Sequence, residues 1–349
     1  MDRRAQEEQQ VDIPLTIKEA AAALRAKQIT SVELTSALLD RTKALNPTLG
    51  AFITVTEDTA LAEAAAADAK FAAGEDLGPL QGIPYGVKDI IVTKDAPTTA
   101  NGVILDPAWG ESRDAPVITR LREAGAVLMG KTVLNEFAIG MPDPAKSFPM
   151  PQNPWDLERS GSGSSSGTGI AIAAGLVLGG LGTDTGGSTR GPSSWNGVSG
   201  MKQTFGRVPK FGCVPLGYSL DHINPMARSA WDCAAMLNVL AGYDPTDPTT
   251  VDVPVPDYTA GLDGSVAGMR IGVPMSYFFD APGLDPETKA AVLAAIDALN
   301  AAGAVVTEVT IPHAKEAKDA NQVIMYSESF SYHKNDLAAR FDDYGTYTS

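Results

Sequence analysis

Apolar residues recur every three or four positions along several segments, which is the period of an α-helix with one buried face. Thr16 and Ser31 precede or begin the first two of these segments, where small polar residues cap helix N-termini. The pattern predicts helices over residues 16–24, 31–45, 58–73, 115–124, 168–181, 286–302 and 316–337. Residues 168–181 are almost all apolar or small, so we expect that helix to be buried on all sides.

Shorter apolar runs lie between these helices and predict strands at residues 83–92, 126–129, 270–273 and 305–309. Residues 141–153 hold four prolines and predict an ordered loop. Strands that alternate with helices are typical of an α/β layered core. We therefore predict a single large α/β domain with a central mixed β-sheet flanked by helices.

The composition argues against several classes of partner and cofactor. A net charge of −15 argues against a nucleic-acid or anionic-membrane surface as the main partner. The first ten residues are polar and show no secretory signal, so we expect a cytoplasmic protein. The uncharged stretch at 160–183 is too rich in Gly, Ser and Thr to span a membrane. Two cysteines exclude a disulfide scaffold, and three scattered histidines give no metal-ligand spacing, so we expect no metal and no cofactor.

Three known sequence motifs match residues of this chain, but the predicted structure or the companion motifs that each one requires are missing. Residues 125–132 match the P-loop pattern, yet their middle positions are strand-like and a helix precedes them. Residues 163–167 match the G-x-S-x-G nucleophile elbow, but a polar segment stands where an apolar strand is required. Residues 199–202 match S-x-x-K without its companion motifs. We set aside nucleotide binding, the α/β-hydrolase mechanism and the penicillin-binding class.

A different set of residues fits serine chemistry. Lys88 follows an apolar strand, Ser164 lies in a Gly/Ser loop, and Ser188 lies in the string G-T-D-T-G-G-S-T-R. A serine hydroxyl needs a neighbouring base, and no histidine lies near either serine loop in sequence. A lysine can be that base only when neutral, which burial among apolar residues favours. Asp89 points to the opposite face of the strand and need not hold the ammonium.

These residues resemble the amidase signature family of serine hydrolases, and the resemblance covers nearly the whole chain. It includes the strings G-P-L-Q-G-I-P, V-K-D, P-T-T-A, G-K-T, N-P-W and S-L-D around the two serine loops. The resemblance implies an amidase signature fold with N-terminal helices at 14–75, a catalytic core at 78–242 and a strand–helix–strand portion at 266–349. Because family members generally continue further, it also implies that the chain lacks its C-terminal part.

The same resemblance assigns roles to residues. Ser188 is implied as the nucleophile, Ser164 as a proton relay in a cis peptide, and Lys88 as the base. The backbone of Thr185, Gly186, Gly187 and Ser188 is implied as the oxyanion hole, because glycines let successive N–H groups converge on one point. Supporting roles fall to Ser165, Asp184 and Arg190. The loop at 141–152 and the segment at 205–218 suggest substrate contacts at Met141, Phe148, Gly163 and Arg207.

Two departures from the family pattern concern local geometry. Ser162 and Ser166 stand where the family carries glycine, and Ser166 adds a Cβ where a close backbone approach is expected. Gln203 and Asn224 replace a usual proline and a usual glycine.

The predicted function is hydrolysis of amide C–N bonds through a serine acyl-enzyme, with carbamates and aryl acylamides as further substrates. The partners predicted are a small amide or carbamate substrate and a second copy of the chain in a homodimer, with no nucleic acid and no membrane. Two alternatives remain open. One is the glutamine-hydrolysing component of a tRNA-dependent amidotransferase, and the other is a non-catalytic scaffold with the amidase fold.

Overall fold

A six-stranded mixed sheet lies at the centre of the fold in the computed structural model, which describes residues 13–348 apart from 111 and 263. The strand Pro84–Lys88 runs parallel to both of its neighbours, Val127–Thr132 and Gly179–Asp184, whereas the remaining pairs are antiparallel. In the order β1-β3-β2-β4-β6-β5, the strands of this sheet are β1 (Phe52–Val55), β3 (Val127–Thr132), β2 (Pro84–Lys88), β4 (Gly179–Asp184), β6 (His222–Ala227) and β5 (Ser199–Gly200).

Helices cover this sheet. The first two begin where the sequence predicts, because Thr16 and Thr30 each form a capping box with a glutamate three residues later. The helix Glu57–Ala72 packs on β3, Ser166–Ala173 on β2 and β4, and Ala230–Leu240 on β6. The helices up to residue 259 are α1 (Ile17–Arg25), α2 (Ser31–Leu49), α3 (Glu57–Ala72), α4 (Pro116–Glu123), α5 (Ser166–Ala173), α6 (Arg190–Asn196) and α7 (Ala230–Leu240).

The prediction of one helix over residues 168–181 is wrong in its second half. Helix α5 ends at Ala173, and the chain then turns through Gly175, whose φ is 67°, into strand β4. A Cβ at Gly180 would lie 2.9 Å from the carbonyl oxygen of Gly86, so this strand pairs closely with β2. A fully buried central strand carries an apolar run without alternation, which periodicity cannot distinguish from a buried helix.

Other boundaries also differ from the prediction. The run predicted as a strand over 83–92 forms β2 only as far as Lys88, because the chain turns after that residue. Strands β1, β5 and β6 and helices α6 and α7 lie outside the predicted elements.

Residues 260–324 form a second compact unit, while the residues up to Thr259 and from Met325 onward form the first. The second unit contains a parallel pair of strands, β7 (Arg270–Val273) and β8 (Val305–Glu308), with a single turn, α8 (Met275–Phe278), and helix α9 (Pro286–Ala301). Helix α10 (Ala314–Arg340) begins in the second unit and ends in the first. The mixed α/β class with a central mixed sheet agrees with the prediction.

The topology places the predicted site segments at one edge of the central sheet. Every residue of β2, β3 and β4 is buried, so only the strand ends are open to a site. Because these three strands are parallel, their carboxyl ends meet at the same edge, where α/β sheets place their ligands. Lys88 ends β2 and Asp184 ends β4, so the two predicted site segments start side by side.

Candidate active site

Lys88 is fully buried and hydrogen-bonds to two hydroxyl groups. Its Nζ lies 2.7 Å from Ser164 Oγ and 2.6 Å from Thr183 Oγ1. No ion pair joins Lys88 to a carboxylate within the part of the chain that the structure describes. Burial lowers the pKa of Lys88 to about 7 from the ordinary 10.5, while the charges of Cys213, Asp184 and Asp221 act in the opposite direction. The amine is therefore about half neutral at pH 7 and largely neutral above it.

The loop that carries Ser164 is held from both sides. The Gly163–Ser164 peptide bond is cis, as the family resemblance implies. The Ser164 carbonyl accepts the N–H of Asn135 at 3.2 Å. A Cβ at Gly163 would lie 2.5 Å from the side-chain nitrogen of Asn135, so a larger residue there would displace the Asn135 side chain.

Ser165 connects this loop to the next one. Its N–H donates to the Ser188 carbonyl at 3.1 Å. Its hydroxyl donates to the Thr183 carbonyl at 3.2 Å and accepts the Thr183 N–H at 3.1 Å. Ser165 therefore ties both serine loops to the end of β4.

Asp184 folds the segment that carries Ser188 into a turn. Its buried carboxylate accepts the N–H groups of Gly187 at 2.8 Å, Thr189 at 3.2 Å and Arg190 at 3.3 Å. The Arg190 guanidinium adds two contacts, at 3.0 and 2.9 Å. Burial alone would raise the pKa of Asp184, but the bonds from Arg190 and the backbone outweigh it and lower that pKa. Asp184 and Arg190 hold the loop together.

The expected oxyanion hole contains fewer available donors than the sequence suggests. The Gly187 N–H points at Asp184, whereas the N–H groups of Gly186 and Ser188 have no acceptor among the described residues. Gly186 is exposed and Ser188 is half-buried, so this face of the loop is open. Gly187 has a φ of 128°, and its missing Cβ would meet nothing within 4 Å. Glycine is needed there for the backbone angle rather than for space.

Asp221 belongs to the quoted S-L-D string, but the sequence assigns it no role. It accepts the Thr185 hydroxyl at 2.5 Å and the N–H groups of Leu216 and Gly217 at 3.0 and 3.1 Å. Burial raises its pKa, and these bonds oppose that shift. Asp221 therefore fixes Thr185 at the start of the Ser188 loop. Its adjacency to Thr185 could not be read from sequence, since strand β6 brings the two together.

A second buried lysine lies on the other face of the sheet. Lys131 Nζ is 3.0 Å from Asp89 Oδ1, with both side chains fully buried, and it donates to Thr98 Oγ1 at 2.7 Å. Asp89 also accepts the N–H and hydroxyl of Thr99. Asp89 thus faces away from Lys88, as strand alternation predicts. Lys131 belongs to the P-loop-like pattern, and its position inside β3 confirms that this pattern is a strand and not a phosphate loop.

The expected substrate-contact residues are more scattered. Met141 is exposed and Phe148 is half-buried on the proline-rich loop. Arg207 directs its guanidinium to the carbonyls of Val253 and Pro254 and to the hydroxyl of Tyr258. No hydrogen bond joins these side chains to Lys88 or to the serines among the residues described. Gly163 is joined to Ser164 by the cis peptide bond.

Membrane-spanning helices and clustered metal ligands are both missing from the described residues. None of their helices is both long and apolar enough to cross a membrane. No three or more of their His, Cys, Asp and Glu side chains come together in an arrangement that could hold a metal ion.

Solved structures and curated proteins similar to this chain share its fold and much of its sequence. The A subunit of the glutamyl-tRNA(Gln) amidotransferase from Roseiflexus sp. (strain RS-1) is 46% identical over 94% of this chain. The peptide amidase of Stenotrophomonas maltophilia is 32% identical with a TM-score of 0.83, covering 96% of this chain and 74% of its own. A structure described as a vestigial protein complex that reveals the origins of an s-triazine catabolic enzyme is 35% identical, has a TM-score of 0.88, and covers 95% of this chain and 71% of its own.

These comparisons overturn the predicted partners. The sequence predicts a small amide or carbamate and a second copy of the chain, and excludes nucleic acid and membrane. That prediction is wrong in naming no protein partner other than a second copy, because the relative from Roseiflexus is a subunit of a tRNA amidotransferase and the s-triazine-related structure is a protein complex. Net charge could not indicate this, since it reports on non-specific attraction rather than on a shaped interface.

The family assignment rests on most of the chain. Residues 33–348 match the family described as Amidase. The chain spans 66% of the length of the Roseiflexus protein, and about the same share of several other curated relatives. The strings that predict the family lie inside the matched region. The chain belongs to the amidase family.

Proposed function

We propose that this chain cleaves the C–N bond of a carboxamide through an acyl-enzyme on Ser188, with Ser164 as proton relay and Lys88 as base. The observation that carries the proposal is the buried Lys88 amine, 2.7 Å from the Ser164 hydroxyl and without an ion-pair partner among the described residues. An amine in that setting is basic enough to take a proton and neutral often enough to do so.

The reaction proceeds in two halves. Ser188 Oγ attacks the amide carbonyl while its proton passes to Ser164, whose own proton passes to Lys88. The N–H groups of Gly186 and Ser188 stabilise the oxyanion. Lys88 then returns the proton through Ser164 to the leaving nitrogen, and the C–N bond breaks to leave an ester on Ser188. Water hydrolyses that ester by the same proton route and regenerates the hydroxyl.

We further propose that the amide is the side chain of glutamine and that the chain works with a protein partner. Support comes from the curated relatives at 44–46% identity, which are A subunits of glutamyl-tRNA(Gln) amidotransferases. The peptide amidase, at 32% identity, supports amide cleavage but a different substrate. Carbamates and aryl acylamides have no counterpart among these relatives and are secondary candidates.

A substrate panel with a nucleophile control tests this proposal. Ammonia release from glutamine is measured beside short aliphatic amides, an anilide and an aryl carbamate, for the wild type and Ser188→Ala. Proteins that co-purify with the chain from its native cell are identified and added back. We expect glutamine turnover that rises with the partner and is lost in Ser188→Ala. Turnover of the anilide or carbamate but not glutamine would refute the substrate, and no Ser188-dependent turnover would favour the scaffold alternative.

A further inference from the structure

We propose that Thr183 is a positioning residue for Lys88: its hydroxyl orients the lysine amine toward Ser164. This inference rests on the proposed function, in which Lys88 is the base. It starts from the 2.6 Å contact between Thr183 Oγ1 and Lys88 Nζ, which is as short as the contact with Ser164. The sequence pattern assigns Thr183 no role, although the residue lies within the nucleophile string.

The valence of the amine explains why a second partner matters. A neutral lysine has two N–H bonds and one lone pair, and the group rotates about its Cε–Nζ bond. It accepts the Ser164 proton only when the lone pair faces Ser164 Oγ. A hydroxyl on a different segment that accepts one N–H restricts this rotation. Thr183 lies on β4 and Ser164 on the loop before α5, so the two contacts fix the amine from separate elements.

Thr183 is itself held rigidly. It is buried in the central sheet, where it pairs with Ile223 of β6. Its N–H and carbonyl both bond to the hydroxyl of Ser165, at 3.1 and 3.2 Å. Since the Ser165 N–H also binds the Ser188 carbonyl, the residue that orients the base is tied to the nucleophile loop. A rigid hydroxyl can hold the amine in one orientation, whereas a mobile one would follow it.

Thr183 also affects the charged form. Once Lys88 takes a proton, a buried ammonium must find acceptors, and Thr183 offers one in direct contact. The other charged or titratable groups that act on Lys88 are Cys213, Asp184 and Asp221. Asp184 is engaged by Arg190 and Asp221 by Thr185, so neither bonds to the ammonium. Loss of the Thr183 oxygen therefore removes one of the two side-chain oxygens that hydrogen-bond to Lys88 among the described residues.

The test compares Thr183→Val, which keeps the shape and removes the hydroxyl, with Thr183→Ser, which keeps the hydroxyl. The rate at which a fluorophosphonate probe labels Ser188 is measured from pH 5 to pH 10. We expect Thr183→Val to lower the plateau rate at least tenfold and to move the midpoint of the pH profile down by about one unit, because the ammonium loses a charged hydrogen bond. Thr183→Ser restores both. Thr42→Val, which removes a buried hydroxyl bonded to Leu38 in α2, serves as a control with an unchanged profile.

The outcomes separate the inference from the proposed function. A Thr183→Val protein with the wild-type midpoint, or a Thr183→Ser protein as slow as Thr183→Val, overturns the inference while Ser188 remains labelled. A wild-type chain that is not labelled on Ser188 at any pH overturns the proposed function and the inference with it. If Thr183→Val fails to fold, Thr183→Ala takes its place as the variant without the hydroxyl, and a Thr183→Ala protein with the wild-type midpoint and plateau rate would overturn the inference.

Discussion

Replacing Lys88 by methionine is expected to inactivate the protein and to stabilise its fold. Lys88 is fully buried, and burial lowers its pKa from 10.5 to about 7. Each pKa unit corresponds to about 1.4 kcal/mol, so burying this amine costs the folded state about 5 kcal/mol below pH 7. Methionine removes that cost but leaves the hydroxyls of Ser164 and Thr183 without their partner, at about 1–2 kcal/mol each. The net expected gain below pH 7 is about 2 kcal/mol.

The pH dependence gives the sharper measurement. Between pH 7 and pH 10.5 the unfolded lysine holds a proton that the folded lysine has released. The unfolded state thus binds more protons, and the free energy of unfolding rises with pH across this window, by up to about 1.4 kcal/mol per pH unit. Lys88→Met removes this slope. The variant should be more stable than wild type at pH 6.5, with the two curves meeting at about pH 8.5.

Urea unfolding of wild type and Lys88→Met from pH 6.5 to pH 9 tests this expectation. Lys70→Met, at an exposed lysine, is the control and should follow the wild-type curve. Parallel curves for wild type and Lys88→Met, or a Lys88→Met protein less stable than wild type at pH 6.5, would refute the reasoning.

Three further expectations follow from the site. Asp184→Asn should lower the free energy of unfolding by about 2–3 kcal/mol, because several donors share that carboxylate. The same variant should slow probe labelling of Ser188, and a urea unfolding curve unchanged from wild type would contradict the expectation. Asp221→Ala should lower the unfolding free energy by about 3 kcal/mol because three donors lose their acceptor, and a stability equal to wild type would count against it. Replacing His222, His313 and His333 together by asparagine should keep Ser188 labelling within about tenfold of wild type, and a folded but unlabelled triple variant would exclude a lysine-based mechanism.

The sequence is informative where chemistry constrains residue type. Lys88, Ser164 and the Ser188 string could be selected because serine chemistry without a nearby histidine requires another base. Capping residues locate the first two helices to within a few positions. Strand β4 is hidden because a central strand, buried on both faces, shows the same apolar run as a buried helix.

The missing parts of the site depend on tertiary contacts. Thr183 meets Lys88 only because β2 and β4 are neighbours, and no local pattern encodes that pairing. The sequence assigns Gly187 to the oxyanion hole, yet its N–H is taken by Asp184 through a turn visible only in three dimensions. Arg207 is assigned to substrate because it lies in the segment at 205–218, whereas its guanidinium binds the carbonyls of an exposed segment. Residue type suggests these roles, and packing decides them.

The most direct test of the account is the rate at which a fluorophosphonate acylates Ser188 as a function of pH, in wild type and in Lys88→Met. We predict a single sigmoidal rise with a midpoint near 7 in wild type, set by the buried amine, and a loss of that rise with a much lower rate in Lys88→Met. An unchanged profile in Lys88→Met, or acylation at a residue other than Ser188, would contradict the claim that Lys88 activates this serine.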